Sequence, residues 1–198
     1  MAETATPLAP PSATASRPAD AGFTLAEVLV VVALIAIGFG VAIPVTMEMV
    51  NRAKNDSSVV VAHTFIDAAR DRAVAERRNI ELTFQLPNRI IAERIEVPSG
   101  LRTQVGEMRL EGGQEFLKYS GVSDTPDAFG AAQAINFTGT APVMFTSDGS
   151  LIDSAGDVTN GTIFMGVPNR PESARAVTIF GVTGLLRTWK WRGASWLQ

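Results

Sequence analysis

The sequence contains no cysteine and a single histidine, His63. Without cysteine there is no disulfide bond, no thiolate metal ligand and no cysteine nucleophile. One histidine also makes a histidine-rich metal site or a histidine-based catalytic triad hard to build. Enzymes that work with carboxylates alone stay compatible with this composition. The absences nevertheless favour a protein that is not an enzyme, and we expect no cofactor.

An excess of charge of either sign is also lacking. The chain has 17 Lys and Arg residues against 20 Asp and Glu residues among 198, a formal net charge of -3. This balance provides no general attraction to nucleic acid or to anionic lipid, so either partner would need a local basic patch. The length fits one domain of ordinary size plus extra segments.

Residues 1–22 have no hydrophobic periodicity and are rich in Ala, Pro, Ser and Thr. This composition predicts a disordered leader. A secretory signal peptide would have a basic region before its apolar stretch and a small residue at a cleavage site after it. Here Arg17 is the only basic residue of the leader, and the small residue Gly22 precedes the apolar stretch. The order is therefore inverted relative to a secretory signal.

Residues 23–45 form a long apolar run with one charged residue, Glu27. A helix of this length, at ~1.5 Å per residue, crosses a hydrocarbon core of roughly 30 Å, so the run predicts a transmembrane helix. Residues 46–78 have an amphipathic pattern, and no turn signal separates them from the run. We therefore expect one helix from residue 23 to about residue 78, kinked at Pro44. Its buried face is predicted to carry Val59, Ala62, Ile66, Ala69 and Ala73.

After Asn79 the period of the pattern changes to two, which predicts half-buried strands. In the first strand, the apolar positions are Ile80, Leu82, Phe84 and Leu86. Further strands are predicted at 89–97, 101–110, 115–119, 134–137, 143–146, 162–167, 174–180 and 185–191. The sequence therefore predicts an α+β fold, in which a long N-terminal helix packs against a C-terminal antiparallel β domain of residues 79–198.

Gly22, Phe23 and Glu27 stand at fixed spacing at the start of the apolar run. This pattern resembles the prepilin cleavage and N-methylation site of the type IV pilin and type II secretion pseudopilin superfamily, and so it implies a pilin-like fold. The resemblance implies that a membrane-embedded prepilin peptidase cuts after Gly22, removes residues 1–22 and methylates the new amine of Phe23. It also implies that Glu27, fifth in the mature chain, pairs with the N-terminus of an adjacent subunit.

The cost of burying a carboxylate agrees with such a pairing for Glu27. A charged residue inside an apolar span costs about 3 kcal/mol on insertion scales, so it needs a partner. No basic residue lies between residues 23 and 45. The nearest cation is the α-amine that cleavage would create at Phe23. The alternative is that Glu27 reaches the membrane interface at the helix start.

Pro44 stands close to Gly38 and Gly40 in the apolar run. All three residues lower helix propensity, and the resemblance implies that this stretch can lose its helical form during filament assembly. The other interpretation is that the glycines only allow close packing of helices.

Two C-terminal segments also resemble the minor pseudopilin H and FimT-type minor pilins, namely residues 143–151 and residues 176–187. The resemblance implies a structural minor pseudopilin of a type II secretion system. It would cross the bacterial inner membrane once and place residues 79–198 in the periplasm. The implied partners are prepilin peptidase, other pseudopilins or pilins, the inner membrane and the secretion machinery. The alternative is a FimT-like minor type IV pilin in pilus assembly or DNA uptake.

The leader and the region after the apolar run depart from the family pattern. Asp20 stands where basic residues are usual before the cleavage site. Arg52 and Lys54 follow the run and, by the positive-inside rule, favour the opposite orientation of the helix. We give the motif more weight than these two cations.

Basic and aromatic residues alternate near the C-terminus, at Arg187, Trp189, Lys190 and Arg192. Such a patch can contact phosphates and stack on bases, so nucleic acid is a candidate partner. The favoured alternative is a last strand whose tryptophans pack on the core while the basic residues face water.

Asp148, Asp153 and Asp157 lie close in sequence and are candidate calcium ligands. Their spacing matches no compact calcium loop, so a solvated hairpin is the favoured interpretation and no metal is expected.

Overall fold

The structure is a computed structural model that describes residues 22–198. The prediction of a disordered leader over residues 1–22 therefore falls outside the described residues, apart from Gly22. The chain divides into two compact units, Met1–Pro44 and Val45–Gln198.

One helix, α1, spans Leu25–Glu76. The long helix predicted for residues 23–78 is confirmed to within two residues at each end. In the first unit the large apolar side chains of the helix are exposed, among them Leu29, Leu34 and Phe39 at 60–64%. None of the described helices is long and apolar enough to cross a membrane. The transmembrane prediction for residues 23–45 and the kink at Pro44 stay predictions.

The second unit packs the later part of α1 against two antiparallel sheets. The strands are β1 Ile80–Gln85, β2 Arg89–Ile95, β3 Arg102–Arg109, β4 Glu115–Phe116, β5 Ile135–Phe137, β6 Val143–Phe145, β7 Leu151–Ile152, β8 Gly161–Gly166, β9 Arg175–Phe180, β10 Leu185–Trp191 and β11 Trp196–Leu197. The first sheet has the order β3-β2-β1-β6-β7. The second has the order β11-β10-β9-β8-β4, with β5 also paired to β8. The predicted α+β class is confirmed.

The main core lies between α1 and the inner faces of the two sheets. The helix contributes the five residues that the periodicity selected, Val59, Ala62, Ile66, Ala69 and Ala73, each at most 7% exposed. The sheets contribute large buried side chains such as Phe145 and Ile179. Because every fourth or third residue of this helical stretch is apolar, one continuous face is removed from water.

A second cluster of buried side chains contains the three tryptophans of the C-terminus. Trp189, Trp191 and Trp196 pack with Phe164 and Val122. The rings of Trp191 and Trp196 meet edge to face, with centroids 5.3 Å apart. Aromatic pairs in this geometry stabilise a core beyond the area that they bury.

Two expectations for the first strand were wrong. Leu86 lies outside β1 and is 71% exposed, while Glu81, predicted to face water, is 4% exposed. The carboxylate of Glu81 is buried because Arg102 on β3 donates to its Oε2 from Nε at 3.1 Å and from Nη2 at 2.8 Å. A partner of opposite charge allows this carboxylate to leave water.

Candidate assembly site and the C-terminal strand

The N-terminus of α1 begins with reciprocal hydrogen bonds between Thr24 and Glu27. The backbone N–H and the hydroxyl of Thr24 each donate to Glu27 Oε2 at 2.9 Å. The backbone N–H of Glu27 donates to Thr24 Oγ1 at 3.2 Å. This arrangement is a capping box, which satisfies backbone donors that have no partner within the helix. Our interpretation of the sequence missed it, although Thr-x-x-Glu before an apolar run is its signature.

The capping box places the predicted cleavage bond just outside the helix. Gly22 and Phe23 are not helical, and Phe23 is 87% exposed. A Cβ atom added at Gly22 would meet no atom within 4 Å. Nothing in the packing of the described residues therefore requires glycine at position 22.

The aromatic residue of the predicted nucleic-acid patch is buried. Trp189 is 7% exposed, and its Nε1 donates to Thr178 Oγ1 at 3.0 Å and to Asp127 Oδ2 at 3.2 Å. The strand alternation that placed the tryptophans on the core is confirmed for Trp189 and Trp191. Trp189 therefore offers no free ring face to a stacked base.

Two cations of the same patch have acidic partners. Arg187 Nη1 donates to Asp127 Oδ1 at 2.9 Å, and Lys190 Nζ donates to Asp56 Oδ2 at 2.7 Å. Arg192 is exposed. The structure thus brings Arg187, Trp189 and Lys190 together on β10, but it engages all three within the fold.

Asp127 organises this side of the second sheet and was not selected from the sequence. Its carboxylate is 7% exposed and accepts hydrogen bonds from Thr178 Oγ1 at 2.6 Å, from Arg187 and from Trp189. The three donors lie on β9 and β10, while Asp127 lies in the loop between β4 and β5. The loop is thereby fixed to the sheet by a charged acceptor with several donors.

Asp56 on α1 has a similar role toward β9 and β10. Its Oδ1 accepts from Nη2 of Arg175 at 2.6 Å, and Arg175 is itself only 3% exposed. Lys190 completes the cluster. Partial burial raises the pKa of Asp56. The hydrogen bonds and positive charges of Lys190 and Arg175 together have a larger, opposite effect, so the pKa of Asp56 lies below its ordinary value. The cluster holds the helix against β9 and β10.

Two of the three candidate calcium ligands, Asp148 and Asp153, stabilise turns with their carboxylates. Asp148 accepts from the Thr146 hydroxyl and from Ser150 N at 3.1 Å, and these bonds hold the pKa of Asp148 at about 2. Asp153 accepts from the backbone N–H of Thr140 at 3.0 Å and of Asp157 at 3.0 Å. Among residues 22–198, no three acidic or histidine side chains come together in a group that could hold a metal ion.

Residues 17–43 match a family model described as the prokaryotic N-terminal methylation motif. The chain is similar in structure to the minor pseudopilin EpsH from the type 2 secretion system of Vibrio cholerae. That match has 11% sequence identity, covers 69% of this chain and 97% of that chain, and has a TM-score of 0.47.

A second similar structure is the type IV minor pilin FimU of Pseudomonas aeruginosa. The sequence identity is 12%, the match covers 74% of this chain and 95% of that chain, and the TM-score is 0.45. A comparison with curated protein sequences found no match.

The family model covers the start of the apolar run, and helix α1 begins at Leu25 within the matched residues. The matched segment contains Gly22, Phe23 and Glu27, so the methylation motif inferred from the sequence is confirmed.

Proposed function

We propose that the chain is a structural, non-enzymatic minor pseudopilin of a type II secretion system. Prepilin peptidase cuts it between Gly22 and Phe23 and methylates the amine of Phe23. Residues 23–45 anchor the precursor in the bacterial inner membrane as a single span, and residues 79–198 lie in the periplasm. After extraction from the membrane, the helix joins those of other pseudopilins in a filament, beside the secretion machinery.

The observation that carries this proposal is the exposure of the apolar helix that begins at the motif. Phe23, Leu25 and Ile37 are 67–87% exposed, and the other large apolar side chains from Val28 to Phe39 are at least half exposed. A continuous apolar surface of this size needs lipid or partner helices to cover it. A prepilin anchor has both in turn, first the membrane and then the filament.

The capping box supports a specific role for Glu27. Its carboxylate already accepts two hydrogen bonds from Thr24. In the assembled filament we propose that the same carboxylate pairs with the α-amine of Phe23 in an adjacent subunit. The charge of Glu27 then sets the register between subunits, while the capping bonds only start the helix.

Substitutions at Glu27 separate these two roles. Glu27→Gln keeps a capping side chain of similar shape but removes the charge, whereas Glu27→Ala removes both. We expect both variants to be cleaved normally and to be incorporated into filaments at least tenfold less than the wild type. Thr24→Ala, which removes the cap alone, should assemble. Immunoblots of sheared filaments measure incorporation, and normal assembly of Glu27→Gln would remove the proposed charge pairing.

Proteomics of the culture supernatant and periplasm of a strain lacking the gene, with complementation, tests the secretion role. Exoproteins that disappear from the supernatant and accumulate in the periplasm support the pseudopilin. An unchanged exoproteome together with loss of surface pili supports the alternative, a FimT-like minor type IV pilin.

The engagement of Arg187, Trp189 and Lys190 within the fold does not favour nucleic acid as a partner.

A further inference from the structure

A small cavity with a cationic lining lies between α1 and the turn that follows β3. Its volume is about 200 Å³, enough for roughly six waters or one hydrated oxyanion. Lys54, Ser57 and Ser58 line it from the helix, and Arg109 and Gly112 line it from β3 and the turn. Val61 and Glu111 also line it.

The walls of this cavity are held in place by contacts between the helix and the turn. Ser58 Oγ donates to the carbonyl of Glu111 at 3.0 Å. Gln114, which is fully buried, donates from Nε2 to the carbonyl of Asn55 at 3.2 Å. A Cβ atom added at Gly112 would lie 3.1 Å from Cβ of Lys54, and Gly112 has a φ of +68°. Glycine therefore lets the turn approach the helix beside the lysine.

The two cations that line the cavity have no close acidic partner among the described residues. Within the described part of the chain, no carboxylate lies within ion-pair distance of Lys54, and the contact between Arg109 Nε and Glu107 Oε1 is long, at 3.5 Å. An ammonium group, a guanidinium and a hydroxyl are the types of donor that bind the oxygen atoms of a tetrahedral oxyanion. With Glu111 included, the side-chain charge around the cavity is one positive unit.

We propose that Lys54, Ser57 and Arg109 form a binding site for a phosphate-class anion. The source that we infer is the headgroup of an anionic phospholipid. Lys54 is nine residues beyond Val45 in the sequence, and long cationic side chains extend back toward a membrane interface. This choice of source rests on the proposed membrane anchoring, whereas the anion site does not.

The site also explains why two cations follow the apolar run. Arg52 and Lys54 oppose the orientation that the motif requires under the positive-inside rule. An anionic phospholipid bound on the periplasmic side offsets the cost of placing such a cation there, because the attraction between one cation and an anionic membrane surface is worth about 1 kcal/mol. When the helix leaves the membrane, the site would have to release its headgroup.

The test is an amide NMR titration of the full chain in a non-ionic maltoside detergent, with the Gly112 signal as reporter. The probes are inorganic phosphate, dihexanoyl phosphatidylglycerol and dihexanoyl phosphatidylcholine. We expect a saturable shift with phosphatidylglycerol, weaker binding of phosphatidylcholine and a loss of affinity as the salt concentration rises. Lys54→Gln and Arg109→Gln should each weaken binding about fivefold.

Two further variants serve as controls. Glu111→Gln removes the opposing charge and should strengthen binding, while Arg192→Gln removes an exposed cation elsewhere and should leave it unchanged. A saturable response to inorganic phosphate but not to phosphatidylglycerol would establish the anion site and overturn the lipid source. No saturable shift with either probe, in a chain whose spectrum is that of a folded protein, would overturn the site. Because cleavage and assembly are not measured, either failure leaves the proposed function untouched.

Discussion

Single carboxylates determine how the C-terminal strands are held. Asp127 accepts from Thr178, Arg187 and Trp189, and Asp56 accepts from Arg175 and Lys190. In both clusters the acceptor lies on one element and its donors lie on the strands β9 and β10. Replacing either carboxylate leaves buried donors without their partner, which costs more than the hydrogen bonds contribute on balance.

At the scale of the residue, Asp127→Ala should destabilise the protein by about 1–3 kcal/mol, because the Thr178 hydroxyl and the Arg187 guanidinium lose an acceptor that is shielded from water. Urea unfolding of the full chain in detergent, followed by tryptophan fluorescence, measures the change. Asp157→Ala, at an exposed position, is the matched control and should change stability little. Equal stability of the Asp127 variant and the control would contradict the assigned role.

Asp148 gives a prediction about pH. Its pKa is lowered to about 2 by hydrogen bonds from Thr146 and Ser150. A carboxyl whose pKa is lower in the folded state stabilises the fold above its unfolded pKa, and the contribution is lost as pH falls through the folded pKa. The stabilisation should therefore be complete above about pH 5 and largely, though not fully, lost by about pH 2.

Carboxyl ¹³C NMR should follow the Asp148 titration with a midpoint near 2. Asp148→Asn should lessen the fall in stability between about pH 4 and pH 2. A midpoint at the ordinary value for aspartate would mean that the turn does not hold this carboxylate.

At the scale of the element, α1 is attached to the second sheet by charge as well as by its apolar face. The Asp56 carboxylate is 48% exposed, but the Arg175 side chain that it pairs with is 3% exposed. A buried guanidinium without its acceptor is costly, even though the half-exposed aspartate would itself be solvated easily.

Asp56→Ala should therefore destabilise the domain by about 1–3 kcal/mol, less than the loss of a fully buried pair. Hydrogen exchange should quicken most in β9 and β10, where Arg175 and Lys190 lie. Asp71→Ala is the matched control on the same helix, because the Asp71 side chain is 71% exposed and pairs with Arg70 only at 3.6 Å. Uniform exchange across both sheets in the Asp56 variant would argue against a local attachment.

Two turns, each with a glycine at positive φ, contact helix α1 at the same residue, Arg70. The glycines are Gly149 and Gly184. Arg70 Nε donates to the carbonyl of Gly149 at 3.2 Å. A Cβ atom at Gly184 would lie 2.3 Å from the same carbonyl oxygen and 2.4 Å from Arg70 Nε. These turns belong to the two C-terminal segments whose resemblance to minor pseudopilins was noted from the sequence. The helix joins them through a side chain that the sequence did not single out.

At the scale of the whole molecule, the helix and strands that could be predicted are those whose pattern is set by residues close together in the sequence. The apolar periodicity predicted the buried face of α1, and most long strands were predicted to within one or two residues at each end. β7 and β11 were missed because two residues are too few to display a period. Thr24 and Glu27 formed a local signature that was available in the sequence and was overlooked.

The contacts that fix the C-terminal strands could not be predicted in this way. Asp56 and Lys190 are 134 residues apart in the chain, and Asp127 and Arg187 are 60 apart. Nothing in a single sequence pairs charges over such separations, so Arg187 and Lys190 looked free. Their engagement changes the interpretation of the C-terminus from a surface patch to a part of the fold.

The most direct test of the account is intact-protein and peptide mass spectrometry of the chain purified from cells that express prepilin peptidase. We predict a mature chain that begins at Phe23 with one methyl group on its amine, and a Gly22→Ala variant that keeps residues 1–22 and carries no methyl group. A wild-type chain that retains its leader in the presence of active peptidase, or a Gly22→Ala variant processed as well as the wild type, would contradict the account.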